Sequence, residues 1–200
     1  MRTSIVTLLA LAACAASAGA QQEKGALGIA TARRGGVTIV CRHAITDAAN
    51  EDEMTLRYDD PSTQRRLSAE GERQATAIGE AFRKLQIPVT DVIASPMQRA
   101  RLTGELAFGT VRLDSTWHTR GTNYGGRKLE LRTEMLGRRV ERGARVIISH
   151  IGTIYSVLPS VGGQLEEGDC VVIRPDGGTR FEVIEVVPWR AWLRAAGEAR

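Results

Sequence analysis

Two arginines and two histidines stand where apolar segments of this chain end. Arg42-His43 follows the run Val37-Thr38-Ile39-Val40-Cys41 without a break. His150 closes Val146-Ile147-Ile148-Ser149. Asp91-Val92-Ile93-Ala94 runs into the turn pair Ser95-Pro96, with Arg99 one helical turn further on. Short runs that are apolar without alternation read as strands buried on both faces of a parallel sheet. Ligand sites in such sheets form just outside the carboxyl ends of the strands. Arg42, Arg99, His43 and His150 converging there would make a small cationic pocket suited to one phosphate. Arginine is always charged and can hold two oxygens at once. Histidine keeps a neutral nitrogen lone pair near neutral pH, and neighbouring cations depress its pKa further. The set fits nucleophilic attack on a phosphate ester, with His43 as nucleophile and the other three holding the transferred group.

The elements that must position these residues alternate along the chain. Val37 to Cys41 is a predicted strand. Residues 44–66 form a long polar stretch carrying Asp47, Glu51, Asp52, Glu53, Asp59 and Asp60. A loop of that length in a compact domain is usually functional or mobile, and it would flank the pocket. Ser68 is a good N-cap, followed by Glu70 and Glu72 in the first turn. Ala75, Ile78, Phe82 and Leu85 then share one helical face, and Pro88 ends that helix. Pro96 is predicted to open a second helix at its favoured first position. Residues 111–113 suggest a short strand. Leu129, Leu136 and Val140 keep helical spacing, with Gly143 closing that helix. Residues 170–173 and 181–187 read as strands joined by the turn signal Pro175-Asp176-Gly177-Gly178. Trp189, Trp192 and Leu193 suggest a terminal helix. This alternation predicts an α/β fold, a three-layer α/β/α sandwich around a mostly parallel central sheet.

The same residues carry a resemblance. Arg42-His43-Ala44, Leu67-Ser68-Ala69-Glu70-Gly71, Ser95-Pro96-Met97-Gln98-Arg99-Ala100-Arg101-Leu102-Thr103 and Ser149-His150-Ile151-Gly152 stand in this order. They resemble the Arg-His-Gly, Leu-Ser-x-x-Gly, Ser-Pro-x-x-Arg-Ala-x-x-Thr and Ser-His-Gly motifs of the histidine phosphatase superfamily, also called phosphoglycerate mutase-like. The resemblance runs from about Val37 to Thr153. It implies a phosphatase that forms a phosphohistidine on His43, with Arg42, Arg99 and His150 binding phosphate. It departs from the family at Ala44 and Ile151, where glycines are usual. Ile151 would narrow the pocket beside His150, and Ala44 would be strained if the site needs a positive φ. No clear copy of the family's general acid is present. Glu130, Glu134, Asp47 and Asp59 are unranked candidates, and Glu105 fits a structural role better. The competing reading is a non-catalytic relative that binds phosphate or a phosphoester without turnover. A mutase is a weaker third.

Size and composition set the outer bounds. The chain has 200 residues, enough for one domain with a real core. Only 4% is aromatic and the net charge is +4, with acidic and basic residues interspersed. Anionic small-molecule substrates fit this balance, and a nucleic-acid partner is not expected. Arg2, the apolar stretch from Ile5 to Ala16 and the small-x-small Ala18-Gly19-Ala20 read as a signal peptide over residues 1–20. The apolar stretch is too short for a permanent membrane span. Residues 21–36 read as a tether, residues 37–200 as the domain, and the location as periplasmic or secreted. Leu11-Ala12-Ala13-Cys14 also resembles a lipoprotein cleavage box, which would anchor the protein through Cys14. Cys41 and Cys170 are expected to be unpaired, buried strand residues, although an oxidising compartment permits a disulfide. Cys41 lacks the arginine six positions on that a cysteine phosphatase needs. His-Glu-x-x-His and Cys-x-x-Cys do not occur, so neither metal nor cofactor is expected. His118, near Trp117 and Arg120, is expected to be exposed. Ser68 and Ser95 are expected to act as cap and turn residues, Trp117 and Tyr124 as packing residues.

Overall fold

A computed structural model describes residues 23–49, 51–54, 57–118 and 125–198. The leader, Cys14, Arg120 and Tyr124 lie outside them. Strands β1 (Val37–Arg42), β2 (Val89–Ala94), β3 (Arg112–Leu113), β4 (Ala144–Ser149), β5 (Cys170–Gly177) and β6 (Arg180–Val187) form one sheet in the order β3-β2-β4-β1-β5-β6. The first four pair in parallel, and β5 and β6 add an antiparallel hairpin at one edge. The sheet is therefore mostly parallel, as the alternation of elements implies.

Two cores follow from the pleat. Val37, Ile39, Cys41, Val146, Ile148 and Val172 point to one face. There they meet α1 (Ala26–Arg34), α2 (Ala69–Lys84), α3 (Gln98–Phe108) and α6 (Trp189–Glu198). Val40, Ile147, Val171 and Ile173 point to the other face, against α4 (Gly126–Gly137) and α5 (Ile151–Val157). The sandwich has three layers, and its central strands are apolar on both faces because both faces are covered. Ser68 caps α2 as expected, its Oγ accepting the Gly71 N–H at 3.0 Å. Trp192 of α6 packs on Phe82 of α2, ring centroids 4.6 Å apart.

Four sequence expectations need correction. Residues 26–34, assigned to a tether, form α1 and bury Ile29 and Ala32 in the core. The Glu185 carboxylate on β6 accepts the N–H groups of Gly25 and Gly28 at 2.9 and 2.8 Å, satisfying donors at the start of that helix. Second, α3 begins at Gln98 rather than Pro96. Met97 is extended, and side-chain oxygens of Ser95 and Gln64 accept the N–H groups of Met97 and Gln98. Third, α4 stops at Gly137 instead of continuing to Gly143. It ends against the β5–β6 hairpin, where a Cβ on Gly137 would lie 2.3 Å from the Gly178 carbonyl oxygen. Finally, Cys41 and Cys170 are buried as expected, but they form a disulfide. They are directly opposed in the β1–β5 pair, so the strand register itself brings the sulfurs together.

The disulfide closes a loop with a sequence separation of 129, so it restricts the unfolded chain strongly. Replacing both cysteines by alanine is expected to cost about 2–4 kcal/mol, or roughly 4–16 °C in Tm for a domain of this size. Thermal melts of the two proteins under non-reducing conditions check this.

Candidate active site

Parallel pairing brings three strand ends together. In the register, Arg42 lies opposite Ser149 and Ala94 opposite Ile148. The ladder continues past the strand ends, with the His43 N–H donating to the Ser149 carbonyl and the Ser95 N–H to the Ile148 carbonyl, both at 3.0 Å. His43, Ser95 and His150 therefore emerge side by side. The His43 and His150 ring centroids are 5.4 Å apart. Arg99 enters from the first turn of α3 and is only 6% exposed.

The motif residues around this centre each have a visible task. Thr103 on α3 accepts the Ala44 N–H at 3.0 Å and donates to the Arg99 carbonyl at 2.6 Å, tying the helix to the chain after His43. Gly71 lies against the Ile45 carbonyl, where a Cβ would come within 1.9 Å, so only glycine lets α2 approach. Gln74 on α2 accepts the Ile45 N–H and donates to the Glu167 carbonyl. Ala44 is fully buried and is not strained, because Gln86 is the only non-glycine residue with positive φ among those described. Ile151 opens α5 half-buried.

Hydrogen bonds assign the imidazole protons. His43 Nδ1 lies 2.9 Å from the Ala44 carbonyl oxygen, which can only accept. The proton is therefore on Nδ1, and Nε2 carries the lone pair. Ser95 Oγ accepts the Met97 N–H and lies 2.8 Å from His150 Nε2. The hydroxyl can donate to Nε2 or accept from it, and when it donates, the His150 proton lies on Nδ1. That nitrogen is buried without a protein partner, as are Nε of Arg42, Arg65 and Arg99. A phosphate oxygen is an acceptor for such donors. Burial pushes His43 down to about 3; the Ala44 hydrogen bond opposes this, and the charges of Arg99, Arg42 and Arg65 add to it. Burial likewise holds His150 well below the usual histidine value, with His43 and Arg99 contributing. Both rings are neutral at physiological pH, and the two arginines remain charged despite their burial.

The four residues picked from the sequence thus meet at one place. Five further residues were not assigned to it. Arg65, at the end of the polar loop, acts electrostatically on His43, His150, Arg42 and Arg99. Asp52 Oδ1 is 2.8 Å from Arg99 Nη1 and also accepts the Arg65 N–H at 2.8 Å. Glu167 lies 3.5 Å from Arg42 Nη2 and 3.8 Å from His43 Nδ1, and accepts from the Thr46 hydroxyl. Ser95 holds His150, beyond its turn role. His118, expected to be exposed, is 7% exposed, and its ring lies edge-on to His150 at 5.2 Å. A chain with three histidines that gathers all three offers a signal that counting could have caught. Arg42 is braced by the Leu165 carbonyl at 2.9 Å. The other carboxylate candidates lie elsewhere in the contacts. Glu130 and Glu134 are exposed beside Arg127, Asp47 caps the Ala49 N–H, and Asp59 is exposed. No group of three or more His, Cys, Asp or Glu that could hold a metal ion occurs among the described residues.

Comparison with known proteins agrees with this geometry. The family model described as Histidine phosphatase superfamily (branch 1) matches residues 38–125. Among solved structures, the protein histidine phosphatase SixA complexed with tungstate superposes with TM-score 0.55 at 10% identity, covering 77% of this chain and 97% of its own. A mutant phosphoserine phosphatase from Entamoeba histolytica in complex with phosphoserine gives TM-score 0.54 at 15% identity, covering 78% and 98%. The search of curated protein sequences returned no match.

A histidine that resists protonation when folded couples stability to pH. Unfolded His43 takes up a proton near pH 6.5, whereas folded His43 does so near 3. Its contribution is complete above pH 6.5 and is lost as pH falls toward 3, at about 1.4 kcal/mol per pH unit. Urea unfolding at pH 7 and 4.5 is expected to show a loss about 2–3 kcal/mol larger for the wild type than for His43→Asn.

Proposed function

Because residues 38–125 match the histidine phosphatase superfamily model and the fold is shared with solved phosphatases, we propose that this chain is a member of that superfamily, a phosphatase acting through a phosphohistidine on His43. The observation that carries this reading is the state of His43: buried, neutral, its Nδ1 proton held by Ala44 and its Nε2 lone pair left to attack. A phosphate monoester repels nucleophiles through its own oxygens, so attack needs positive charge around those oxygens. Arg42 and Arg99 supply that charge, and His150 Nδ1 supplies a neutral donor. Arg65 adds a third positive charge close by. In the first step His43 Nε2 forms a P–N bond as the ester P–O bond breaks. In the second, water attacks phosphorus, the P–N bond breaks, and inorganic phosphate leaves. Arginine charge does the work that a metal ion would do elsewhere, and the reaction needs no metal.

The substrate class is a phosphate monoester or a phosphoramidate. Solved relatives of both kinds share the fold: one is a protein histidine phosphatase and another was captured with phosphoserine. The protein works after export, with the leader removed near Ala20 and the mature domain periplasmic or secreted. A Cys41–Cys170 disulfide supports that location, since such bonds persist in oxidising compartments. Anchoring through an acylated Cys14 is the alternative form of the same export.

Hydrolysis of 4-nitrophenyl phosphate by wild type and His43→Ala, with and without chelator, tests the reading. Chelator-resistant turnover by the wild type alone is expected, with an acid-labile phosphoryl group on His43 after rapid quenching. Arg99→Ala is expected to lower kcat/KM by about 10²-fold or more. Turnover retained by His43→Ala would overturn the mechanism.

A further inference from the structure

The attack described so far leaves the departing oxygen without a proton, and the carboxylates of the site are badly placed to supply one. Glu167 stands on the Nδ1 side of His43, away from the attacking Nε2. Asp52 Oδ1 is already the acceptor of hydrogen bonds from Arg99 and from the Arg65 backbone. Glu130 and Glu134 are exposed with Arg127.

The third histidine is better placed. The rings run His43, His150, His118, with neighbouring centroids 5.4 and 5.2 Å apart. His150 touches both other rings, so the three histidines line one site. A phosphoryl group held against His150 would lie near both His43 and His118, and a displacement needs two such separate groups, one as nucleophile and one as acid. His118 is also fixed. Its Nδ1 is 2.6 Å from the Tyr58 hydroxyl, whose ring packs edge-on at 5.5 Å, and Lys128 donates to its carbonyl at 3.0 Å. With Nδ1 engaged by Tyr58, proton exchange with substrate falls to Nε2. Imidazole suits the task, since it both gives and takes protons near neutral pH.

We propose that His118 is the general acid and base of the reaction, an inference that rests on the phosphohistidine reading above. The bound phosphate dianion offsets the cost of charging the buried ring, so His118 enters this step as the imidazolium. As the P–O bond breaks, the leaving oxygen takes its Nε2 proton. In the second half, neutral His118 Nε2 takes a proton from the water whose oxygen attacks phosphorus. The P–N electron pair returns to His43, phosphate leaves, and His118 is protonated again. Nδ1 keeps its proton on Tyr58 throughout.

A general acid matters most when the leaving group is poor. The test compares an alkyl ester, glycerol phosphate, with the activated ester 4-nitrophenyl phosphate. His118→Gln is expected to lose about 10²–10⁴-fold in kcat on the alkyl ester and less than about tenfold on the activated one. Tyr58→Phe keeps the ring and is half exposed, so the core is undisturbed. It is expected to show the same selective loss in smaller measure. Equal losses on both esters, no loss on either, or a wild type already as selective for the activated ester as His118→Gln would overturn the assignment while leaving His43 in place. A wild type that hydrolyses neither ester and takes no phosphoryl group would overturn the phosphatase reading itself, and this inference with it.

Discussion

The parallel pairing of β4 with both β1 and β2 is the constraint on which the site depends. It fixes the height of three strand ends at once, and the ladder carries that alignment one residue further, to His43 and Ser95. A slip of one residue would turn every side chain to the opposite face. The apolar two-sided core of β4 prevents such a slip, because all six of its residues are buried. The catalytic geometry is therefore a by-product of core packing. The helices then add what strands cannot: α3 brings Arg99 and Thr103, while α2 presses Gly71 and Gln74 against the chain leaving His43.

Burial has opposite consequences for the two residue types at the centre. It strips water from the imidazoles, which respond by staying neutral, so the nucleophile is ready without a separate base. It also strips water from Arg42 and Arg99, which cannot respond in the same way and keep their charge. These charges are held by a few specific partners: the Leu165 carbonyl and Glu167 for Arg42, and Asp52 for Arg99. A dry site with fixed cations strengthens every interaction with an incoming anion.

Much of this was legible in the residues. Arg42, His43, Arg99 and His150 were readable because each directly follows an apolar run or a strand-ending turn, and strand ends are where parallel sheets place ligands. Ser68 and the buried face of α2 were readable because capping and helical periodicity are local properties. What escaped depended on contacts distant in sequence. The glycines at 25 and 28 resemble a linker until Glu185, on the last strand, caps the helix they begin. Asp52 and Arg65 sit in a polar loop where nothing local separates them from their neighbours. The Cys41–Cys170 bond depends on the β1–β5 register, which no pattern around either cysteine encodes. His118 looked exposed because its neighbours in sequence are polar, whereas its neighbours in space are rings.

The ion pair between Asp52 and Arg99 sets the thermodynamics of filling the pocket. Asp52 takes only Nη1 of the Arg99 guanidinium, while its Nε is buried without a protein partner. A phosphate oxygen can therefore bond to Nε with the carboxylate still in place, and it meets an ion pair rather than a bare cation. Asp52 cancels part of the attraction that Arg99 exerts, which weakens the hold on any anion in the pocket. The same repulsion acts on the product, so inorganic phosphate is released more readily than it would be from an unpaired arginine.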